Sequence, residues 1–162
     1  MSSQAPVSAS EIERHLAELR RSYVEALPKQ RLHIAKLRIQ NPEHDPNRLI
    51  AFVSAVEGFA RSICMHLRAK TKAELSQLYP EYRRKGTEDL ISEYLSARSL
   101  GEPGNHFGTE TWRLFGYAVQ YRNALAHECT YLGLDRSPAL IEACREVLRR
   151  LANDAGLSAD DI

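Results

Sequence analysis

The sequence has little of several features that would point to a particular class of protein. Its three cysteines, Cys64, Cys129 and Cys144, are an odd number and show no CxxC spacing. A disulfide framework is therefore not expected, and reduced thiols in a cytoplasmic protein fit this usage better. The formal net charge is only +1, which excludes a global positive field that draws the chain onto nucleic acid. Any such binding needs a local basic patch.

Signals for membranes and secretion are also missing. No unbroken apolar run approaches the roughly 18 residues of a membrane span, so we expect no membrane partner. The first ten residues, MSSQAPVSAS, lack the basic-then-apolar pattern of a signal peptide. Residues 1–9 are small and polar, and we expect them to be disordered. These observations predict a cytoplasmic location.

Patterns that bind phosphate or metal are missing as well. The glycine-rich residues 101–108 lack the GxxxxGK[ST] spacing and follow no predicted strand, so they do not form a phosphate loop. His127, Glu128 and Cys129 are too close together for a zinc site on a straight helix. The other five histidines have no ligand-like spacing. We therefore expect no metal and no cofactor.

What the sequence does contain is apolar residues at helical spacing along most of its length. Apolar and polar residues alternate at period two nowhere for long, so no strand is predicted. With 162 residues, the chain is long enough for one domain that buries about 70% of its unfolded surface. We predict an all-α, single-domain bundle of five or six helices over residues 10–154, followed by a polar tail over residues 155–162.

The most apolar predicted helix runs from Asn47, which is expected to cap it, to about residue 70. Its apolar face is so wide that we place it at the centre of the bundle. That face consists of Leu49, Phe52, Val53, Val56, Phe59, Ala60, Ile63 and Leu67.

The remaining helices are bounded by caps and breakers. We predict a short helix over residues 70–84, a helix capped by Thr87, and a loop over residues 99–108, which hold three glycines and a proline. A long helix follows over residues 109–132. The last helix starts at Ser137, because a cap residue followed by proline is a preferred helix start.

The helix that begins at residue 109 carries the one cluster that points to chemistry. One helical turn takes 3.6 residues, so Gln120, Asn123, His127 and Tyr131 lie three or four apart and share a face. Arg122 lies roughly 140° away from His127 around an ideal helix. Its long side chain can still swing toward that face. One side of the helix therefore presents a cation, an amide, an imidazole and a phenol.

This cluster resembles the signature of HEPN domains, which are small helical domains of many prokaryotic and eukaryotic RNases. The signature is an arginine, an adjacent polar residue, and a histidine four to six positions on. Arg122, Asn123 and His127 match it in order and spacing. Some family members carry a tyrosine two residues after the histidine, where this chain has Cys129. The nearest tyrosine is Tyr131, so the subgroup defined by that residue is not indicated.

A second family feature is a Glu-x-x-x-Lys/Arg pair on an earlier helix, and Glu57 and Arg61 match it. The resemblance then covers residues 47–152. The pair has two interpretations: a local ion pair worth about 0.2–0.5 kcal/mol, or a support in which Glu57 aims Arg122 and Arg61 assists with phosphate.

The resemblance implies a metal-independent endoribonuclease that works as a homodimer. In that reading His127 is the acid–base group, Arg122 the phosphate clamp and Asn123 the orienting amide. The supporting residues are Glu57, Arg61 and Tyr131. RNA is the expected substrate, and a toxin–antitoxin or defence role with an antitoxin or regulatory protein partner is implied by the family. The residue types suit this chemistry, since histidine titrates near neutrality and arginine stays charged.

Two other interpretations remain open. The chain could be a non-catalytic HEPN-like module that binds a partner protein or a nucleotide, or a plain structural bundle. Arg83, Arg84 and Lys85 are typical of a solvated helix end, but they could also extend an RNA groove, as could Lys70 and Lys72.

Overall fold

Helices are the only regular secondary structure in the described part of the chain. The computed structural model describes residues 21, 24–40, 45–128 and 137–162, without the side chains at 34, 37–39, 45–47, 124–128 and 137. These residues form seven helices and no strand, which confirms the all-α prediction. The helices are α1 (Pro28–Gln40), α2 (Asp45–Arg68), α3 (Lys72–Tyr82), α4 (Thr87–Ala97), α5 (Pro103–Phe107), α6 (Thr109–Glu128) and α7 (Ser137–Asp154).

Helix α2 lies at the centre and contacts α1, α3, α4, α6 and α7. It begins at Asp45, two residues before the predicted cap Asn47. The predicted apolar face is buried except for Leu67, whose prediction is wrong because 39% of that residue is exposed. At the end of the helix Met65 is the buried residue, at 1% exposed. Leu67 lies about 200° around the helix from it, so it faces away from the neighbouring helices.

The length and apolar composition of residues Arg48–Arg68 would also suit a helix that crosses a membrane. In this fold, however, 61% of the most apolar stretch is buried inside the protein. Core helices of globular domains share this composition, because they are surrounded by other helices on most sides. The stretch is therefore only weak support for a membrane span.

Helix α3 starts with a capping box. The Glu74 backbone N–H donates to Thr71 Oγ1 at 3.2 Å, and the Thr71 backbone N–H donates to Glu74 Oε2 at 3.1 Å. This satisfies two backbone donors that a helix start leaves without partners. The helix ends at Tyr82 with Pro80 in its last turn.

The loop predicted over residues 99–108 contains a short helix instead, so this prediction is wrong. Pro103 occupies the first helical turn, where its fixed φ favours the helix and its missing N–H costs nothing. Phe107 at the end of this helix is buried and stacks on the Trp112 ring with centroids 5.7 Å apart. The buried aromatic residue fixes α5 against the start of α6.

The C-terminal residues after α7 pack against the bundle. Gly156 has a φ of +75°, which turns the chain back over the helices. Ala159 is fully buried, and Lys36 Nζ on α1 lies 2.8 Å from Asp161 Oδ1. The segment predicted as a polar tail thus joins the two ends of the described fold.

Helix α7 starts at Ser137, as predicted, and its apolar face is buried against α2 and α6. The long helix predicted over residues 109–132 is described as far as Glu128. Its last predicted turn, including Tyr131, lies outside the described residues. The same holds for residues 1–9.

Truncation to alanine should lower the free energy of unfolding more on the buried side of α2 than on its exposed side. We expect Ile63→Ala to lower the free energy of unfolding by about 2–5 kcal/mol, because it leaves a cavity in the core. We expect Leu67→Ala to lower it by less than about 1 kcal/mol, because the side chain is half exposed and alanine favours helix. Urea unfolding of both variants measures the difference. Equal costs would contradict the placement of Leu67.

Candidate active site

The carboxylate of Glu57 lies at the centre of a polar cluster formed by three helices. Its Oε1 atom accepts a hydrogen bond from Arg61 Nη2 at 2.9 Å, one turn later on α2. Its Oε2 atom accepts from Arg122 Nη2 on α6 at 2.8 Å and from Thr87 Oγ1 on α4 at 2.6 Å. We call Glu57, Arg61, Thr87 and Arg122 the Glu57 cluster.

Thr87 plays a different part from the one predicted. Gly86 occupies the N-cap position of α4 with an extended backbone, and Thr87 is the first residue of the helix. The Thr87 side chain is therefore not a cap, and its hydroxyl donates to Glu57 instead. Thr87 is only 2% exposed, and burial of a hydroxyl without a partner is costly. The carboxylate on α2 provides that partner, so the start of α4 is tied to α2.

Three donors keep Glu57 ionised although it is partly buried. Burial alone raises the pKa of this carboxyl, but the hydrogen bonds from Thr87, Arg122 and Arg61 outweigh burial and lower the pKa from 4.5 to about 2. At neutral pH the cluster thus holds two guanidinium groups and one carboxylate. The remaining positive charge makes this part of the surface attractive to an anion such as a phosphate.

Arg61 is bound on two sides. Besides its ion pair with Glu57, its Nε atom donates to the Tyr82 carbonyl oxygen at 3.1 Å. That carbonyl belongs to the last residue of α3, where helical C=O groups lack partners within the helix. Only 12% of the Arg61 side chain is exposed. Arg61 therefore connects α2 to the end of α3.

Arg122 reaches the cluster from α6. Its Nε atom donates to Asn123 Oδ1 at 2.9 Å, in addition to the bond from Nη2 to Glu57. Its side chain is 17% exposed, and Asn123 is exposed. Among the described side chains, none accepts a hydrogen bond from Arg122 Nη1. Within the described part of the chain, the guanidinium is thus oriented by two acceptors.

The structure brings four of the predicted site residues together: Glu57, Arg61, Arg122 and Asn123. His127 lies in the last turn of the described helix α6, five residues after Arg122, and its side chain is not described. Thr87 also belongs to the cluster, although the sequence does not predict it there. A threonine that follows a glycine is typical of a helix start. The local sequence pattern does not distinguish a hydroxyl that caps its own helix from one that contacts another helix.

Two of the cysteines are unsuited to chemistry at neutral pH. Cys64 and Cys144 are buried, and burial raises the pKa of each thiol to about 12. The thiolate, which is the nucleophile and metal ligand, is therefore scarce at both positions. In the part of the chain that the structure describes, no group of three or more His, Cys, Asp or Glu side chains is placed to hold a metal ion.

Comparisons with known proteins identify no relative. No protein-family model matches this sequence, and neither a curated protein nor a solved structure matches it. The resemblance to HEPN domains therefore depends on the motif residues and on their placement in an all-helical fold.

The hydrogen bonds to Glu57 predict a pH-dependent contribution to stability. Because the pKa of the folded state is depressed, the contribution is fully present above the unfolded value near 4.5 and is lost as pH falls toward about 2. At pH 7 we expect Glu57→Gln to lower the free energy of unfolding by roughly 2–4 kcal/mol. The difference from the parent should shrink between about pH 4.5 and pH 2.

Urea unfolding at several pH values measures this difference. Glu110→Gln is the matched control, because Glu110 is an exposed carboxylate that also pairs with an arginine, Arg113. Its removal should cost less than about 1 kcal/mol at every pH. A Glu57 variant that behaves like the Glu110 variant would contradict the cluster.

Proposed function

We propose that this protein is a metal-independent endoribonuclease of the HEPN type that acts as a homodimer. The observation that carries the proposal is the Glu57 cluster, in which one carboxylate orients Arg122 and Arg61 beside Asn123. The motif histidine follows Arg122 by five residues on the same helix. This combination supplies a fixed cation and a group that titrates near neutrality, which are the two requirements of RNA cleavage without metal.

The chemistry is an internal transfer of the phosphodiester linkage. The 2′-oxygen of the ribose loses its proton to a base and forms a bond to the adjacent phosphorus. The bond from phosphorus to the 5′-oxygen breaks, and that oxygen takes a proton from an acid. The products are a 2′,3′-cyclic phosphate and a 5′-hydroxyl end. His127 acts in proton transfer, which is typically worth about 10²–10⁴ in rate.

Arg122 stabilises the negative charge that grows on the phosphate oxygens during this transfer. A guanidinium that is already oriented needs no reorganisation when the charge develops, which is why preorganised donors are effective in catalysis. Glu57 and Asn123 provide that orientation through Nη2 and Nε. Glu57 partly neutralises Arg122, while Arg61 restores a net positive charge to the cluster.

A homodimer would provide the second proton-transfer group. Each chain carries one motif histidine, but the reaction needs both a base and an acid. A two-fold axis beside α6 would bring two copies of His127 to one linkage, because such an interface uses the same surface on both chains. The outer face of α6 supports this arrangement, since Tyr117 is 45% exposed and Gln120 and Asn123 are also exposed.

The biological setting follows from the family resemblance alone. HEPN nucleases of this kind belong to toxin–antitoxin and defence systems, and we extend that setting to this chain as part of the proposal. It implies RNA as the substrate, a neutralising antitoxin or regulatory protein as a partner, and a cytoplasmic location.

One observation favours a second candidate function. Arg122 is only 17% exposed and already has two acceptors, as a guanidinium with a purely structural part would. The alternative is a non-catalytic HEPN-like module that binds a partner protein or a nucleotide. In that case the cluster holds α2, α4 and α6 together, and His127 has no part in proton transfer.

An RNase assay with EDTA present separates the two candidates. We expect the parent protein to cut single-stranded RNA into fragments with 2′,3′-cyclic phosphate ends and to leave DNA intact, because DNA lacks the 2′-hydroxyl. We expect His127→Ala to lower the cleavage rate by about 10²–10⁴. Arg122→Lys should also lower it, because lysine cannot keep two oriented hydrogen bonds and face the phosphate.

Matched controls exist for both substitutions. His33 is an exposed histidine on α1, and Arg113 is an exposed arginine on α6 that pairs with Glu110. His33→Ala and Arg113→Lys should cut RNA at the parent rate. A folded parent protein that leaves RNA intact would contradict the nuclease proposal and favour the binding module.

A further inference from the structure

A groove beside Pro80 is the strongest feature that the proposed function does not use. It consists of two adjoining hollows of about 300 Å³ and 310 Å³ that share Pro80 and Arg83. The described residues that line it are Arg21, Val24, Ser76, Tyr79, Pro80, Arg83 and Arg84. We call it the Pro80 groove.

The lining of the Pro80 groove combines apolar surface with cations. Val24, Tyr79 and Pro80 provide the apolar part, and arginines provide the charged part. None of the described lining residues is acidic. Within the described ranges, neither Arg83 nor Arg84 takes part in a side-chain ion pair, and both are exposed. Counted over the described lining residues alone, the groove therefore carries a net positive charge.

The acidic side chain closest in sequence is already engaged. Glu81 pairs with Arg68 Nη1 at 3.3 Å and with Lys85 Nζ at 3.4 Å. Lys85 also pairs with Glu93 at 2.7 Å. Glu81 and Glu93 are thus paired with cations other than Arg83 and Arg84.

Tyr82 connects the Pro80 groove to the Glu57 cluster. The Tyr82 carbonyl accepts a hydrogen bond from Arg61 at 3.1 Å, and Arg83 follows Tyr82 directly. Consecutive Cα atoms are about 3.8 Å apart. Arg83 of the groove is therefore the backbone neighbour of a residue that contacts Arg61.

We propose that the Pro80 groove binds a segment of single-stranded RNA, with its phosphates on Arg83 and Arg84 and a base against Tyr79 and Pro80. The proposal rests on the proposed function and adds a second place on the protein at which the RNA strand is held. Unpaired bases can stack on an aromatic side chain whatever their sequence. A duplex keeps its bases inside and cannot use the apolar surface. A peptide made only of acidic residues has no flat ring to place there.

The test measures RNA binding apart from cleavage. Fluorescence anisotropy with a labelled 12-nucleotide single-stranded RNA is recorded in EDTA, with His127→Ala in every protein so that the RNA stays intact. We expect Arg83→Ala/Arg84→Ala to weaken binding by at least about tenfold at low salt. The slope of log K against log salt should fall by about 1.4, since each lost phosphate contact on a single strand contributes about 0.7.

Two further variants make the result specific. Arg83→Lys/Arg84→Lys keeps both charges, so it should retain the salt slope. Arg98→Ala/Arg150→Ala removes two exposed arginines, one directly after α4 and one on α7, and it should change the affinity by less than about twofold. Arg98 follows the end of α4 that lies opposite Thr87. Because all these side chains are exposed, urea unfolding should show each variant folded like the parent.

The inference is overturned if the alanine pair binds RNA as the parent does, if it is no weaker than the Arg98/Arg150 control, or if the parent binds no RNA. Equal affinity for duplex RNA or for a 12-residue polyglutamate peptide also overturns it. Failure of the nuclease gives a different pattern. A protein with His127 in place that binds RNA through Arg83 and Arg84 without cutting it would contradict the proposed reaction and uphold the Pro80 groove.

Discussion

The arrangement of the candidate site depends on one carboxylate that accepts hydrogen bonds from three side chains. Glu57 receives them from Arg61 on its own helix, from Thr87 at the start of α4 and from Arg122 on α6. Hydrogen bonds to a charged group are each worth about 1.5–3 kcal/mol. They hold the carboxylate ionised despite its burial, and they fix the position of the guanidinium to which we assign the phosphate.

The packing of α2 against its neighbouring helices holds this carboxylate in place. Helix α2 is buried along most of its length and contacts five other helices. A side chain on such a helix has little freedom, so a charged residue at its edge provides a rigid support for groups that approach from elsewhere. Arg61 extends the support to the end of α3. The Pro80 groove begins there, so the same contact joins the two regions that we propose to hold RNA.

Features that depend on the local sequence pattern could be predicted from the sequence alone. The all-α class, the central position of α2 and the start of α7 follow from apolar spacing and cap residues. The Glu57–Arg61 pair follows from spacing along one helix. Leu67 was misplaced because the buried stripe rotates around a long helix, so the last turn buries Met65 instead. The glycines around Pro103–Phe107 favour a loop, so the sequence does not predict this helix or the burial of its aromatic residue.

The contacts between helices could not be predicted from the local sequence pattern. Arg122 lies 65 residues from Glu57, and only the family resemblance suggested the pair. The sequence predicts that Thr87 is a cap, because a hydroxyl at a helix start usually bonds its own backbone. Its actual partner lies 30 residues away on another helix. Such contacts depend on how the helices pack, which is a property of the whole chain.

The most direct test of this account is a double-mutant cycle between Glu57 and Arg122, measured by urea unfolding at pH 7. The cycle compares Glu57→Gln, Arg122→Gln and the double variant with the parent. The account predicts a coupling energy of about 1–3 kcal/mol, because each single variant leaves the other group without one of its charged or hydrogen-bonding partners. Additive effects, with a coupling below about 0.5 kcal/mol, would show that Glu57 does not hold Arg122 and would contradict the account.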